Sequence, residues 1–86
     1  MTEWFRDGRA SDTIPADDRA VQYGDGLFET IAIRDGAPRL WEYHVERLQT
    51  GAVRLGLAAP TEASLRSALQ AALDQAQADR TRCVAK

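Results

Sequence analysis

Lysine is almost missing from this chain: Lys86, the last residue of the sequence, stands against ten arginines. A guanidinium stays protonated across the accessible pH range and cannot serve as the free amine that carbonyl chemistry requires. Side-chain amine chemistry therefore rests on one residue at a frayed chain end, or on another polypeptide. Cysteine and histidine each occur once, as Cys83 and His44. A lone thiol has no partner for an internal disulfide, which fits a reducing compartment and an expected place in the cytoplasm. One histidine and one cysteine, far apart in sequence, offer tetrahedral zinc no ligand spacing, so no metal site is expected. Scattered single residues do not compose a Ser/His/Asp arrangement either. No apolar run approaches the ~20 residues of a membrane span. The N-terminal residues lack the basic-then-apolar pattern of a secretory signal. Positive charge is not in excess: the net charge of −2 gives no electrostatic reason to expect nucleic acid or an anionic membrane as partner.

What is present is the make-up of an ordinary folded domain, 44% hydrophobic and 28% charged. A chain of this length buries only about 60–65% of the surface its unfolded form exposes, so its stability is marginal. Residues 1–86 are expected to form one small domain.

Asp7-Gly8, between Trp4-Phe5-Arg6 and Arg9-Ala10, suits a tight type I′ hairpin turn. Residues 11–18 contain Pro15 and read as a connecting loop. Gly24-Asp25-Gly26 follows, able to take left-handed backbone angles. Residues 27–34 are the clearest strand, ending at a second hairpin signal, Asp35-Gly36. Its alternation puts Leu27, Glu29, Ile31 and Ile33 on one face and Phe28, Thr30, Ala32 and Arg34 on the other. Residues 37–40 return beside it, with Pro38 tolerable at an edge or a strand start. Trp41, Val45, Leu48, Ala52 and Leu55 then make the apolar stripe of a helix that Gly56 can stop. Thr61 caps a second helix, with Glu62 in its first turn and Leu65, Leu69, Ala72, Leu73 and Ala76 on its buried face. Cys83-Val84-Ala85 opens a last strand, and a strand opening without a turn or cap is the expectation for a sequence that continues. The pattern predicts an α+β fold, with two helices packed on a small antiparallel sheet.

Three features carry a functional signal. His44, Arg47, Gly51 and Arg54 share a helix face beside the buried stripe. The five fixed donors of an arginine at such an edge suit a phosphate, and Gly51 lets something approach the helix closely. The same spacing also fits a solvated basic edge. Glu29 shares a face with Leu27, Ile31 and Ile33, where a bare carboxylate is costly to desolvate. Either that face opens to water, or a cation pairs with Glu29, and His44 and Arg47 are the candidates. The Gly24-Asp25-Gly26 turn is a weak phosphate signal, because it leads into a strand and not into a helix N-terminus.

The segment from Asp18 to Thr30, with Tyr23-Gly24-Asp25-Gly26-Leu27-Phe28-Glu29-Thr30 at its end, resembles the N-terminal signature of class IV aminotransferases and their lyase relatives. His44-Val45-Glu46-Arg47-Leu48 is similar to the same family's His-x-x-Arg-Leu segment, in the right order and at the right separation. The resemblance runs from Trp4 to Lys86. It implies the N-terminal domain of a fold-type IV enzyme that binds pyridoxal 5'-phosphate between two domains, acts on small molecules and works as a homodimer. It implies that Arg47 contacts the cofactor phosphate and that Phe28 and Thr30 line the substrate side of the cleft. It also implies that the Schiff-base lysine and the acidic partner of the pyridine nitrogen belong to a second domain outside residues 1–86, so this chain alone is inactive and holds no catalytic residue. The Gly-Asp-Gly-Leu-Phe-Glu-Thr wording is most similar to aminodeoxychorismate lyases, with branched-chain and D-amino-acid aminotransferases next. A self-associating α+β interaction module is the reading from outside enzymology.

Overall fold

A computed structural model of the protein describes residues 2–86. Both Asp-Gly dipeptides turn the chain as their chemistry dictates. Asp7 and Gly8, at φ 52° and 79°, join β1 (Phe5–Arg6) to β2 (Arg9–Ala10) with Arg6 opposite Arg9. Positive φ at both central residues is the condition for a type I′ turn, whose twist matches that of the strands. Between the hairpins lies a one-turn helix, α1 (Arg19–Tyr23), directly after the loop expected over residues 11–18 and in a stretch to which the sequence assigned no element. Asp18 caps it by accepting from the Ala20 amide at 2.9 Å, and Gly24 ends it at φ 70°. Asp35 and Gly36, at 52° and 80°, join β3 (Ile31–Arg34) to β4 (Ala37–Pro38), with Arg34 opposite Ala37.

Two long helices, α2 (Trp41–Arg54) and α3 (Glu62–Gln75), precede the last strand, β5 (Arg82–Ala85). β5 pairs antiparallel with β3, Ile31 opposite Ala85 and Arg34 opposite Arg82. The strands thus form a two-stranded sheet, β1-β2, and a three-stranded sheet, β4-β3-β5. The α+β class is as expected, but one sheet has become two. Pro38 sits on the edge strand β4, a place where a residue without an N–H is tolerated. The predicted strand over residues 27–34 is half as long as expected. The ladder starts at Ile31, which pairs with Ala85 of β5, and residues 27–30 lie outside it.

The core is small. Ile33, Val45, Ala52 and Leu73 are the buried apolar side chains among the described residues, one from the central strand and three from the helices. The three helical ones fall on the stripes that the periodicity marks, although Leu55, at the end of the first stripe, is exposed. The first hairpin docks on α3 through Gly8, which is buried. A Cβ there would stand 3.1 Å from that of Ala71, tighter than ordinary contact, and φ 79° is itself strained for an L side chain. Gln75 fixes the contact by donating to the Gly8 carbonyl at 2.6 Å.

The N-terminal turns of α2 and α3 are tied by a polar cluster. The Trp41 indole N–H donates to Glu62 at 2.8 Å, and Arg66 Nε donates to the same oxygen at 2.7 Å while its guanidinium lies over the Trp41 ring. The indole hydrogen bond, then the Arg66 contact, hold the Glu62 carboxyl below the ordinary carboxylate range. A depressed folded pKa contributes stability that is fully present above the unfolded value and is lost as pH falls through the folded one. Trp41→Phe removes the larger cause. The Glu62 midpoint, followed by carboxyl-carbon NMR in the folded protein, is expected to rise. A midpoint that does not move would show that the indole does not hold the carboxylate.

Candidate functional site

Residues 27–30 precede β3 and bring Leu27 and Glu29 against the helix face that the sequence singled out. Gly51 supplies the clearance: a Cβ at this position would lie 3.0 and 3.1 Å from the two δ carbons of Leu27. The close approach expected at Gly51 is therefore made by Leu27 of the same chain. This contact fixes where Glu29, two residues on, meets α2.

Glu29 is paired. His44 Nδ1 lies 2.9 Å from Glu29 Oε1, and since a carboxylate only accepts, the imidazole N–H donates. Arg47 Nε approaches the same oxygen at 3.7 Å, near enough for an ion pair but too far for a good hydrogen bond. The Glu29 and His44 side chains are only 13% and 14% exposed, whereas that of Arg47 is 58% exposed. So the strand face does not open to water at Glu29. The carboxylate is held by both of the partners that the spacing nominated, tightly by His44 and loosely by Arg47.

Beside this pair is a cleft of about 340 Å³. Leu27, Glu29 and Ile31 form its strand wall, and Trp41, His44, Val45 and Leu48 form its α2 wall. Leu65 and Leu69 close it from α3. Phe28 and Lys86 also border it, with the Lys86 ammonium 4.7 Å above the Phe28 ring centre, a cation–π contact. The structure thus puts Phe28 in the cleft wall. Thr30 is exposed and lies outside that wall, and Arg47 stands beside the cleft, next to Glu29. Arg47 also has its guanidinium 5.5 Å above the Tyr43 ring. Tyr43 was not among the sequence candidates, although its place four residues before Arg47 on one helix face was the available signal.

The Gly24-Asp25-Gly26 turn is no phosphate cradle by geometry. It follows the C-terminal end of α1, where carbonyls and not amides are unsatisfied, and Arg19 binds Asp25 across it at 2.8 Å.

Residues 26–85 match the family model for amino-transferase class IV, and the chain belongs to that family. It is 47% identical over 36 residues to an aminodeoxychorismate lyase of Vibrio harveyi, covering 42% of this chain and 13% of the relative. It is 42% identical over 59 residues to a bifunctional aminodeoxychorismate lyase / D-amino acid transaminase of Mycobacterium tuberculosis, covering 69% of this chain and 20% of the relative. A D-alanine aminotransferase of Listeria innocua is 30% identical over 67 residues, 78% of this chain and 22% of the relative. Among solved structures, a fold IV transaminase from Curtobacterium pusillum superposes with a TM-score of 0.67 at 38% identity, over 74% of this chain and 22% of that one. A hypothetical aminotransferase from Mycobacterium tuberculosis, in its apo form, gives 0.67 at 37% identity, over 76% and 23%. The fold is therefore that of the fold-type IV transaminases. The chain spans about a fifth or less of the length of the first two curated relatives.

The family depends in general on pyridoxal phosphate. The residues present fit its anionic end. Arg47 is a charged fork at the margin of a helix, with no hydrogen bond to another described residue and one loose contact through Nε. Its two terminal nitrogens are open to a dianionic group.

Proposed function

We propose that this chain supplies one wall and the phosphate contact of a pyridoxal-phosphate enzyme of the aminodeoxychorismate lyase type, which releases 4-aminobenzoate and pyruvate from its substrate. The open Arg47 guanidinium beside a paired Glu29 carries the cofactor part of this reading. The likeness to the Vibrio harveyi lyase supports the reaction. When bound, the cofactor provides an electron sink for charge that develops beside the substrate amine. Arg47 binds its phosphate by charge-assisted hydrogen bonds. Glu29 and His44 fill each other's hydrogen-bonding needs next to that contact. Leu27 and Phe28 present apolar surface that keeps water from the site. The amine that anchors the cofactor comes from beyond residues 1–86, and the enzyme works as a cytoplasmic homodimer.

Amino transfer between D-amino acids and keto acids is the second reading. It is favoured by the longer likeness to D-alanine aminotransferases. The intact enzyme separates the two. Pyruvate released from aminodeoxychorismate without an added keto acid supports the lyase. Exchange between D-alanine and a keto acid, with no such release, replaces it by the transferase.

A further inference from the structure

The geometry points to His44 as the residue that keeps Arg47 available for an anion, by occupying the carboxylate that would otherwise capture it. This rests on the reading of Arg47 as the phosphate ligand and adds a positioning role to it.

Two donors converge on one acceptor atom. His44 Nδ1 stands 2.9 Å from Glu29 Oε1 and Arg47 Nε stands 3.7 Å from that same oxygen. The histidine has taken the short, well-formed hydrogen bond. Arg47 is left at a distance where Coulomb attraction persists but the hydrogen bond does not. Glu29 is largely shielded from water, so it needs a partner: an unpaired carboxylate in such a place is costly. Remove the imidazole, and the nearest cation is Arg47, one helical turn along the same face. A small side-chain rotation brings its Nε, or a terminal nitrogen, into a direct pair with Glu29. A guanidinium so engaged has fewer donors to offer and a neutralised field. His44 thus satisfies the carboxylate while leaving the arginine's outer nitrogens free.

The experiment uses apo forms of the intact enzyme and measures binding of pyridoxal phosphate, with pyridoxal, which lacks the phosphate, as control. His44→Ala is expected to weaken pyridoxal phosphate binding about fivefold, the upper worth of an exposed ion pair that the phosphate must now break. Pyridoxal binding is expected to be unchanged. Adding Glu29→Gln to His44→Ala removes the capturing charge and is expected to restore affinity to within about twofold of wild type. A merely structural histidine would give a loss that Glu29→Gln does not repair, and that result overturns the proposal. So does a His44→Ala variant that binds as wild type. A second readout is the Arg47 Nε–Hε signal in the NMR spectrum of the 86-residue chain. Its hydrogen exchange is expected to slow in His44→Ala and to recover in the double variant; no slowing counts against capture. Arg47→Ala keeps the two ideas apart. If it binds pyridoxal phosphate normally, the phosphate assignment has failed. If it loses binding while His44→Ala does not, only the positioning role has.

Discussion

Arg47→Ala is expected to loosen the hold of the intact enzyme on pyridoxal phosphate by about 1.5–3 kcal/mol, roughly a tenfold to hundredfold rise in the dissociation constant. The size follows from what the side chain does in the fold. It is more than half exposed, and its contacts are the 3.7 Å approach to Glu29 and the Tyr43 ring beneath it. Nothing in the core depends on it, so its removal is expected to change folding stability by no more than about 0.5 kcal/mol. The free energy that is lost is then that of the charge-assisted phosphate contact, and equilibrium titration of the apo enzyme reads it directly. Arg47→Lys keeps the charge but not the two-pronged donor geometry, and its affinity is expected to fall between wild type and alanine. An alanine variant that retains the cofactor at full strength would mean that another residue holds the phosphate.

Much of this could be read from the sequence because local chemistry and tertiary structure agree. The Asp-Gly dipeptides specify their turns through backbone sterics alone, and both turns are where they were expected. Thr61 accepts from the Ser64 amide at 3.0 Å, as a capping threonine should. The stripe of α2 was legible because burial of one face at helical spacing leaves a periodic signature. The stripe also marks Trp41, where α2 begins. It follows Leu40, held at φ 55° with no side-chain cap, a conformation that costs a leucine about 1–2 kcal/mol and that no local rule would select. The helix α1 was missed. Its signals, Asp18 before it and Gly24 after it, are both present, but five residues are too few for any hydrophobic period to show.

The candidate site divides in the same way. Glu29 stood out because a carboxylate on an apolar strand face demands a partner, and one helix face offered His44 and Arg47 three residues apart. Pattern and electrostatics nominated both partners, and the distances rank them. The likeness to a known family gave Phe28 and Thr30 their roles, where spacing offered none. The folded chain separates the two, with Phe28 against the cleft and Thr30 outside it. Alternation along a strand cannot foresee this, because residues 27–30 lie outside the ladder that would hold alternate side chains to two faces.

The whole arrangement depends on how little holds β3 in place, and Ile33→Ala tests that dependence. Ile33 has no exposed surface and is, among the described residues, the only large side chain wholly inside. It lies on the central strand, opposite Pro38 on one side and Cys83 on the other. Truncation to alanine is expected to cost about 2–5 kcal/mol, because a buried isoleucine loses both its transfer free energy and the contacts around the void. Ile33→Val, which removes one methylene, is expected to cost about 0.5–1.5 kcal/mol. At the usual ~0.05–0.15 kcal/mol per residue, a domain of this length has about 4–13 kcal/mol in all. So few buried side chains place it toward the lower end, where the alanine variant populates the unfolded state at room temperature. Val53, 71% exposed on the outer side of α2, is the control. Its alanine variant is expected to stay within about 0.5 kcal/mol of wild type, since no core contact is lost and alanine favours the helix. Urea midpoints order the three variants. If Ile33→Ala unfolds no earlier than Val53→Ala, then β3 is held by its hairpin and ladder and not by the core, and Glu29 keeps its place beside α2 without Ile33.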